Sequence, residues 1–211
     1  MNFIDLPENI QIPIFSNIGV MLSGGADSAI LALILMHHLE SINSKETIHI
    51  FSTHSREKGL SSIKSVNDVI SKCAEITGFT NIVSVQQIVD SQNIDNLFKS
   101  AVFYLDSGQV DKIYTGITAA PPPEIHSTFS GVNHDLINRD SSTLKQILAN
   151  RCVRPFINKD KKFIKSLYDL YNAEELFAVT RSCEQLTSVP LTGHCGRCWW
   201  CEERKWAFGM L

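Results

Sequence analysis

Apolar and polar positions change period along the first half of the chain. Ile18, Val20, Met21 and Leu22 form a short apolar run that predicts a strand near residues 17–22. Ile30, Leu31, Leu33, Ile34 and Leu35 follow after a polar turn and predict a helix near 27–40. The same alternation repeats twice more, as a strand at 47–53 with a helix near 61–77, then a strand at 81–85 with a helix near 94–107. Gly78 stands where a helix-ending residue belongs, and residues 112–115 read as a further strand after Gly108. This rhythm predicts an α/β fold, a doubly wound and mostly parallel sheet with helices on both faces. Ligands of such sheets lie beyond the carboxyl ends of the strands. Here that edge is predicted to hold residues 23–28, 52–56 and 116–120.

From 119 to about 141 the periodicity stops. Pro121, Pro122 and Pro123 are read as excluding a helix or a central strand. A stretch of this length without regular structure reads either as a substrate loop or as a surface connection. Helices are predicted again near 142–150 and from about 160 to 171, with Arg154-Pro155-Phe156 between them. The organisation predicted is an α/β part over 1–150 and a C-terminal helical part over 151–211.

Length and charge narrow the classes. The 211 residues suffice for one domain with a small appendage, and the net charge of −3 gives no global basic footprint for nucleic acid. The first residues lack a basic n-region and a long apolar core, so no signal peptide is read. No apolar run approaches the roughly 18 residues of a membrane helix. Six cysteines without an export signal read as metal ligands and free thiols in a reducing compartment, which points to the cytoplasm.

The turn between the first strand and helix is Ser23-Gly24-Gly25-Ala26-Asp27-Ser28. Glycine lets a backbone approach an anion closely, and a helix start presents N–H groups and a partial positive charge to it. Ser23 and Ser28 can add hydroxyl donors. With no lysine in the turn, it is not the G-x-x-x-x-G-K-[ST] loop, and its adjacent glycines do not make the G-x-G-x-x-G pattern. Asp27 reads as a Mg²⁺ or loop ligand, as a helix cap, or as both.

At the other end Cys183 precedes Cys195, Cys198 and Cys201, the last three spaced by two residues. Four thiolates at such spacing suit a tetrahedral Zn²⁺ site with no open position, hence a structural one. An iron–sulfur cluster also fits C-x₂-C-x₂-C. His194 is a spare ligand candidate, and Cys73 and Cys152 read as small buried residues within helices.

The glycine turn resembles the signature of the PP-loop ATP pyrophosphatases, which cleave ATP between the α and β phosphates. Taken with the four cysteines, Arg154-Pro155-Phe156 before Asp160-Lys161, Thr180-Arg181-Ser182-Cys183, residues 112–116 and Arg204, the chain resembles the 7-cyano-7-deazaguanine synthase family. The resemblance implies an adenine nucleotide alpha hydrolase-like fold and a homodimer. It implies conversion of a 7-deazaguanine carboxylic acid, with ATP, Mg²⁺ and ammonia, to an amide and then a nitrile. It places ATP on Leu22, Ser23, Gly24, Gly25, Ala26, Asp27, Ser28, Ser52, Thr53 and Gly116. Catalytic work falls to Ser23, Asp27, Ser28 and Lys161, with Lys161 either neutralising phosphate or standing as a solvated helix residue. Arg204 binds phosphate or braces the metal segment, His54 is a base or a polar loop residue, and Trp199-Trp200 either packs the knuckle or stacks on a base.

Two elements of that family differ here. Its Pro-x-Arg-Asn element has no counterpart in residues 90–96, and its Asp-Tyr-Gly-Gln is replaced by Thr53-His54-Ser55-Arg56. Both concern the acceptor more than ATP. A PP-loop tRNA-modifying enzyme, an enzyme acting on another carboxylate and a zinc-stabilised nucleotide sensor remain as alternatives.

Overall fold

The computed structural model describes residues 2–56, 59–90, 94–130, 139, 148–183 and 193–211. The elements are β1 (Asn2–Leu6), β2 (Ile10–Ile14), β3 (Ile18–Met21), α1 (Ala26–Ser41), β4 (Ile48–Ser55), α2 (Gly59–Thr77), β5 (Ile82–Val89), α3 (Ile94–Asp106), β6 (Lys112–Thr115), α4 (Pro123–His126), β7 (Cys152–Val153), α5 (Lys161–Leu170), α6 (Glu174–Val179) and α7 (Trp199–Phe208).

Five strands form one sheet in the order β5-β4-β3-β6-β7. All its pairings are parallel, with Val20 opposite Ile50 on one side and Tyr114 on the other. The chain runs outward from β3 through β4 to β5, then crosses back to place β6 on the other side of β3. The order therefore reverses between β3 and β6. At that point the carboxyl ends of two neighbouring strands lead to opposite faces and leave a crevice.

Both faces are covered, and the period of two along the strands shows it. Val20, Ile50 and Tyr114 turn to a large core with α1, α2 and the C-terminal helices. Phe51 and Ile113, one residue on or back, turn to a smaller core with Phe98, Ala101 and Leu105 of α3. Helix α1 is apolar on nearly all sides, from Ala29 to Met36, because α2, α5 and α6 pack against it as well as the sheet.

Several elements escape the sequence pattern. The antiparallel pair β1–β2 buries Ile4, Leu6 and Ile12 in the large core, and the Tyr114 hydroxyl donates to the Pro13 carbonyl at 2.5 Å. Cys152 lies in the edge strand β7, not in a helix, and is half-buried. Pro123 begins the short helix α4, at the one helical position where a missing N–H costs nothing. The helix expected over 142–150 lies mostly outside the described residues, and its end is a 3₁₀ turn at Ala149–Arg151. Among the described residues no helix is long and apolar enough to cross a membrane.

Candidate active site and metal centre

A cavity of about 560 Å³ opens at the switch point between β3 and β6. Its floor is the turn from β3 into α1. Gly24 takes φ +81°, a left-handed conformation that a side chain disfavours, and a Cβ there would also lie 2.9 Å from Ser65 Cβ. The turn is braced by serine hydroxyls. Ser28 Oγ accepts from the Ser23 N–H at 3.2 Å and donates to the Gly25 carbonyl at 3.3 Å. Ser23 Oγ stands 3.1 Å from Ser28 Oγ. Gly25 is the helix N-cap and no side chain caps it. The first-turn N–H groups of α1 therefore face the cavity without the usual side-chain acceptor. Asp27 does not cap the helix; it is the second helical residue and points to Lys161.

Gly116, at the end of β6, lies against this same helix start. An ideal Cβ there would come within 2.6 Å of Asp27 C and Ser28 N. Only a glycine lets β6 pass so close to the α1 terminus. The wall on the β4 side is Thr53, whose hydroxyl donates to the Leu97 carbonyl at 3.0 Å and accepts from Gln87 Nε2 at 2.8 Å. Ser52 stands behind the wall, its hydroxyl donating to the Leu22 carbonyl at 2.9 Å. Leu22, Ser23, Gly25, Ala26, Asp27, Ser28, Thr53, Gly116 and Lys161 line the cavity; Gly24 and Ser52 support it from behind.

Lys161 is not a solvated helix residue. It is 2% exposed, and its Nζ lies 3.2 Å from Asp27 Oδ2 and 3.1 Å from Glu203 Oε2. Asp160, just before it, caps α5 by accepting from the Lys162 and Phe163 N–H groups. That cap fixes where α5 starts, and so where Lys161 points. The two carboxylates outweigh desolvation and hold the Lys161 ammonium above its ordinary range. Burial pushes the Asp27 carboxyl up, against the pull of Lys161.

Of the residues gathered at this end of the cavity, Arg139 and Glu203 carry no signal strong enough to single them out in the sequence; Arg139 and Trp200 line the cavity and Glu203 stands buried behind them. Arg139 comes from the stretch read as a substrate loop, and its guanidinium bonds Thr118 Oγ1 at 2.9 Å and Glu203 Oε1 at 2.7 Å. Glu203 is fully buried and holds both Lys161 and Arg139. The Trp200 ring lies beneath both cations, 5.1 Å from the Arg139 guanidinium and 5.7 Å from Lys161 Nζ. Glu203 and Trp200 sit one helical turn apart on α7, a spacing that marks a shared face only once the cavity side is known. His54 is engaged at both ring nitrogens, by Ser62 Oγ at 2.9 Å and Gln86 Oε1 at 3.1 Å, and burial holds it neutral. It lines the cavity beside Thr53.

The Sγ atoms of Cys183, Cys195, Cys198 and Cys201 lie within 4.8 Å of one another. Cys195 and Cys201 are 3.9 Å apart, close to the roughly 3.8 Å edge of a tetrahedron with metal–sulfur bonds of about 2.3 Å. The Cys195 and Cys198 N–H groups each donate to a cysteine sulfur at 3.3 Å, which disperses thiolate charge. Gly196, at φ +73°, makes the turn between them. Cys198 is the N-cap of α7 and Cys201 lies in its first turn, where the helix dipole favours negative charge. The four sulfurs are grouped as metal ligands are.

Arg204 belongs to this knuckle. Its guanidinium donates to Thr180 Oγ1 at 2.8 Å, Ser182 Oγ at 3.4 Å and the Phe177 carbonyl at 3.0 Å, and lies 3.7 Å from the Phe177 ring centroid. Burial lowers its pKa to about 10. The segment it braces, 180–183, also meets the glycine turn: the Arg181 N–H donates to the Gly24 carbonyl at 2.8 Å. Cys183 itself lines the cavity, so metal centre and cavity share a wall.

No family model matches the chain, and no curated protein does. Among solved structures it is similar to the NMN synthetase of Francisella tularensis, at 12% identity and a TM-score of 0.47, over 93% of this chain and 78% of that one. It is also similar to the U34-tRNA thiolase NcsA of Methanococcus maripaludis, described with its 4Fe–4S cluster, at 13% identity and a TM-score of 0.45, over 92% of this chain and 67% of that one.

Proposed function

We propose that this chain is a PP-loop ATP pyrophosphatase that activates a carboxylate by adenylation and passes it to ammonia. One observation carries the reading: an uncapped, glycine-led helix start and a buried lysine converge on one cavity at the switch point of a parallel sheet. Its volume lies within the range of small-molecule sites.

The α1 N–H groups and the Ser23 hydroxyl receive the β and γ phosphates. Lys161 is held by ion pairs with Asp27 Oδ2 and Glu203 Oε2, and its ammonium keeps N–H donors for a phosphate oxygen. Asp27 Oδ1 is buried with no hydrogen-bond partner and is the atom that would hold the Mg²⁺ accompanying ATP. That ion supplies charge neutralisation for the leaving pyrophosphate. The adenine lies toward Thr53 and Leu97, and the acceptor toward Arg139 and Trp200.

The acceptor carboxylate oxygen attacks the α phosphorus, and the α–β bridging bond breaks to release pyrophosphate. Ammonia then displaces AMP from the acyl carbon and leaves an amide after loss of a proton. Adenylation of the amide oxygen by a second ATP releases a second pyrophosphate, and loss of AMP and both N–H protons then gives a nitrile. The order of motifs along the chain supports 7-carboxy-7-deazaguanine as the acid and its nitrile as the product. For the four-cysteine site we propose Zn²⁺, which supplies structural cross-linking. The short sulfur–sulfur distances support one ion over a four-iron cluster, whose thiolates sit on different irons and further apart.

The test is incubation of the protein with ATP, Mg²⁺, ammonium and 7-carboxy-7-deazaguanine while pyrophosphate and product mass are followed. Acid-dependent pyrophosphate release with the amide or nitrile mass is expected. Pyrophosphate released at the same rate without this acid overturns the substrate assignment, and no release with any carboxylate overturns the adenylation reading.

A further inference from the structure

We propose that Glu203 is a positioning residue tying the four-thiolate centre to the phosphate cradle, so that metal retention and nucleotide binding reinforce each other. The proposal rests on the nucleotide reading of the cavity.

Helix α7 starts on the metal: Cys198 is its N-cap and Cys201 lies in its first turn. Two residues after Cys201, Glu203 turns into the protein and is fully buried. Its oxygens are divided between two cations far apart in the chain. Oε2 meets Lys161 of α5 at 3.1 Å, and Oε1 meets Arg139 at 2.7 Å. Lys161 continues to Asp27 Oδ2 at 3.2 Å, inside the glycine turn, and Arg139 to Thr118 beyond β6.

A buried carboxylate is tolerated only with its counter-charges in place, and they only with it. The position of α7 and the positions of the two cavity cations are thus mutually fixed. An apolar residue would pack α7 equally well and would set neither cation. A second connection runs in parallel, from Cys183 through Arg181, whose N–H holds the Gly24 carbonyl at 2.8 Å. Metal loss frees the start of α7 and so releases Glu203, Lys161 and the turn. By reciprocity, a nucleotide that holds Lys161 and the turn holds the metal.

Metal release answers the question independently of turnover. Metal-loaded protein is challenged with excess chromogenic chelator, with and without Mg²⁺ and α,β-methylene-ATP, and binding of this analogue is measured separately by equilibrium dialysis. The analogue is expected to slow release of the wild-type metal roughly fivefold or more. Glu203→Gln protein, carrying the same metal content and still binding the analogue, is expected to show less than about twofold slowing. Glu203→Asp keeps the charge but is one methylene too short to span both cations. It is expected to show intermediate slowing, and it takes the place of Glu203→Gln if that variant does not accumulate folded. Wild-type protein that binds the analogue yet releases metal at an unchanged rate overturns the linkage and leaves the nucleotide reading standing. Wild-type protein that does not bind the analogue overturns both. Wild-type slowing in the glutamine variant, or in the aspartate variant where that one stands in, removes Glu203 from the role.

Discussion

At Gly116 there is no room for a methyl group: a Cβ would meet the backbone of Asp27 and Ser28 at 2.6 Å, and backbone cannot rotate away as a side chain does. Gly116→Ala must therefore push β6 and the α1 start apart. Overpacking of this kind costs about 1–3 kcal/mol, and here it also moves the N–H groups meant for phosphate. A lowered melting temperature together with weaker ATP-analogue binding is expected; unchanged binding would place the phosphates elsewhere. Asp27 leads to a prediction of opposite sign for stability. Burial raises its folded pKa above the unfolded value of 3.8, so the ionised form is the less stable one in the fold. Stability from this group is present below 3.8 and is lost as pH rises through the higher folded pKa. Asp27→Asn removes that loss while Glu203 still pairs Lys161. The variant is expected to melt no lower than wild type at pH 7, to lose that advantage as pH falls toward 3.8, and to release no pyrophosphate. A lower melting point at neutral pH contradicts the sign. The glycine turn was legible in the sequence because its chemistry is local. Arg139 and Glu203 were not, because their meaning lies in contacts between segments far apart in the chain; Trp200 was read only as packing or stacking, and its place beneath Arg139 and Lys161 is such a contact too.

Among the elements, α7 is held by attachments of different chemistry, the thiolates at its start and Glu203 and Arg204 along its length. Arg204 joins α7 to the end of α6 and to the 180–183 segment through Thr180, Ser182 and the Phe177 carbonyl. Arg204→Met removes the donor to Thr180 Oγ1 and Ser182 Oγ, at about 1–3 kcal/mol for a group left fully unsatisfied, while the Phe177 carbonyl keeps the Thr180 N–H and hydroxyl. Lysine keeps the charge but lacks the planar fork and the stacking on Phe177. Both variants are expected to melt lower than wild type and to yield metal to a chelator faster, with methionine worse than lysine. Equal metal release in all three proteins would show that the knuckle stands without this brace. The sequence placed Arg204 beside the cysteines but left its partner open between phosphate and the metal segment. Burial decides it, because a guanidinium committed to three acceptors in the protein is turned away from the cavity. The helices and strands themselves were read well where apolar period and length agreed, from β3 to β6. The β1–β2 pair was missed because Pro7 and Pro13 obscure the alternation, and its role appears only when Ile12 is seen to enter the core formed by α1 and the C-terminal helices.

Over the whole molecule the two faces of the sheet are unequal, and that inequality bears on how the site behaves. One face carries α1, α2 and the C-terminal helices in a single large core; the other carries α3 over a short list of residues around Phe51 and Ile113. Local opening follows buried apolar contact, so α3 is expected to open at lower free energy than α1. The cavity spans this divide. Its phosphate end rests on α1, while Leu97 and Phe98 of α3 line the end assigned to the adenine. A bound nucleotide therefore joins a firm face to a loose one, and ordering falls on α3. Hydrogen exchange followed by mass spectrometry is expected to show peptides covering 96–106 exchanging well before those covering 29–41 in the free protein. With Mg²⁺ and α,β-methylene-ATP, the larger gain in protection is expected in 96–106. Protection gained in α1 alone would mean that the nucleotide base does not reach α3, and the acceptor rather than the adenine would then occupy the Leu97 side of the cavity.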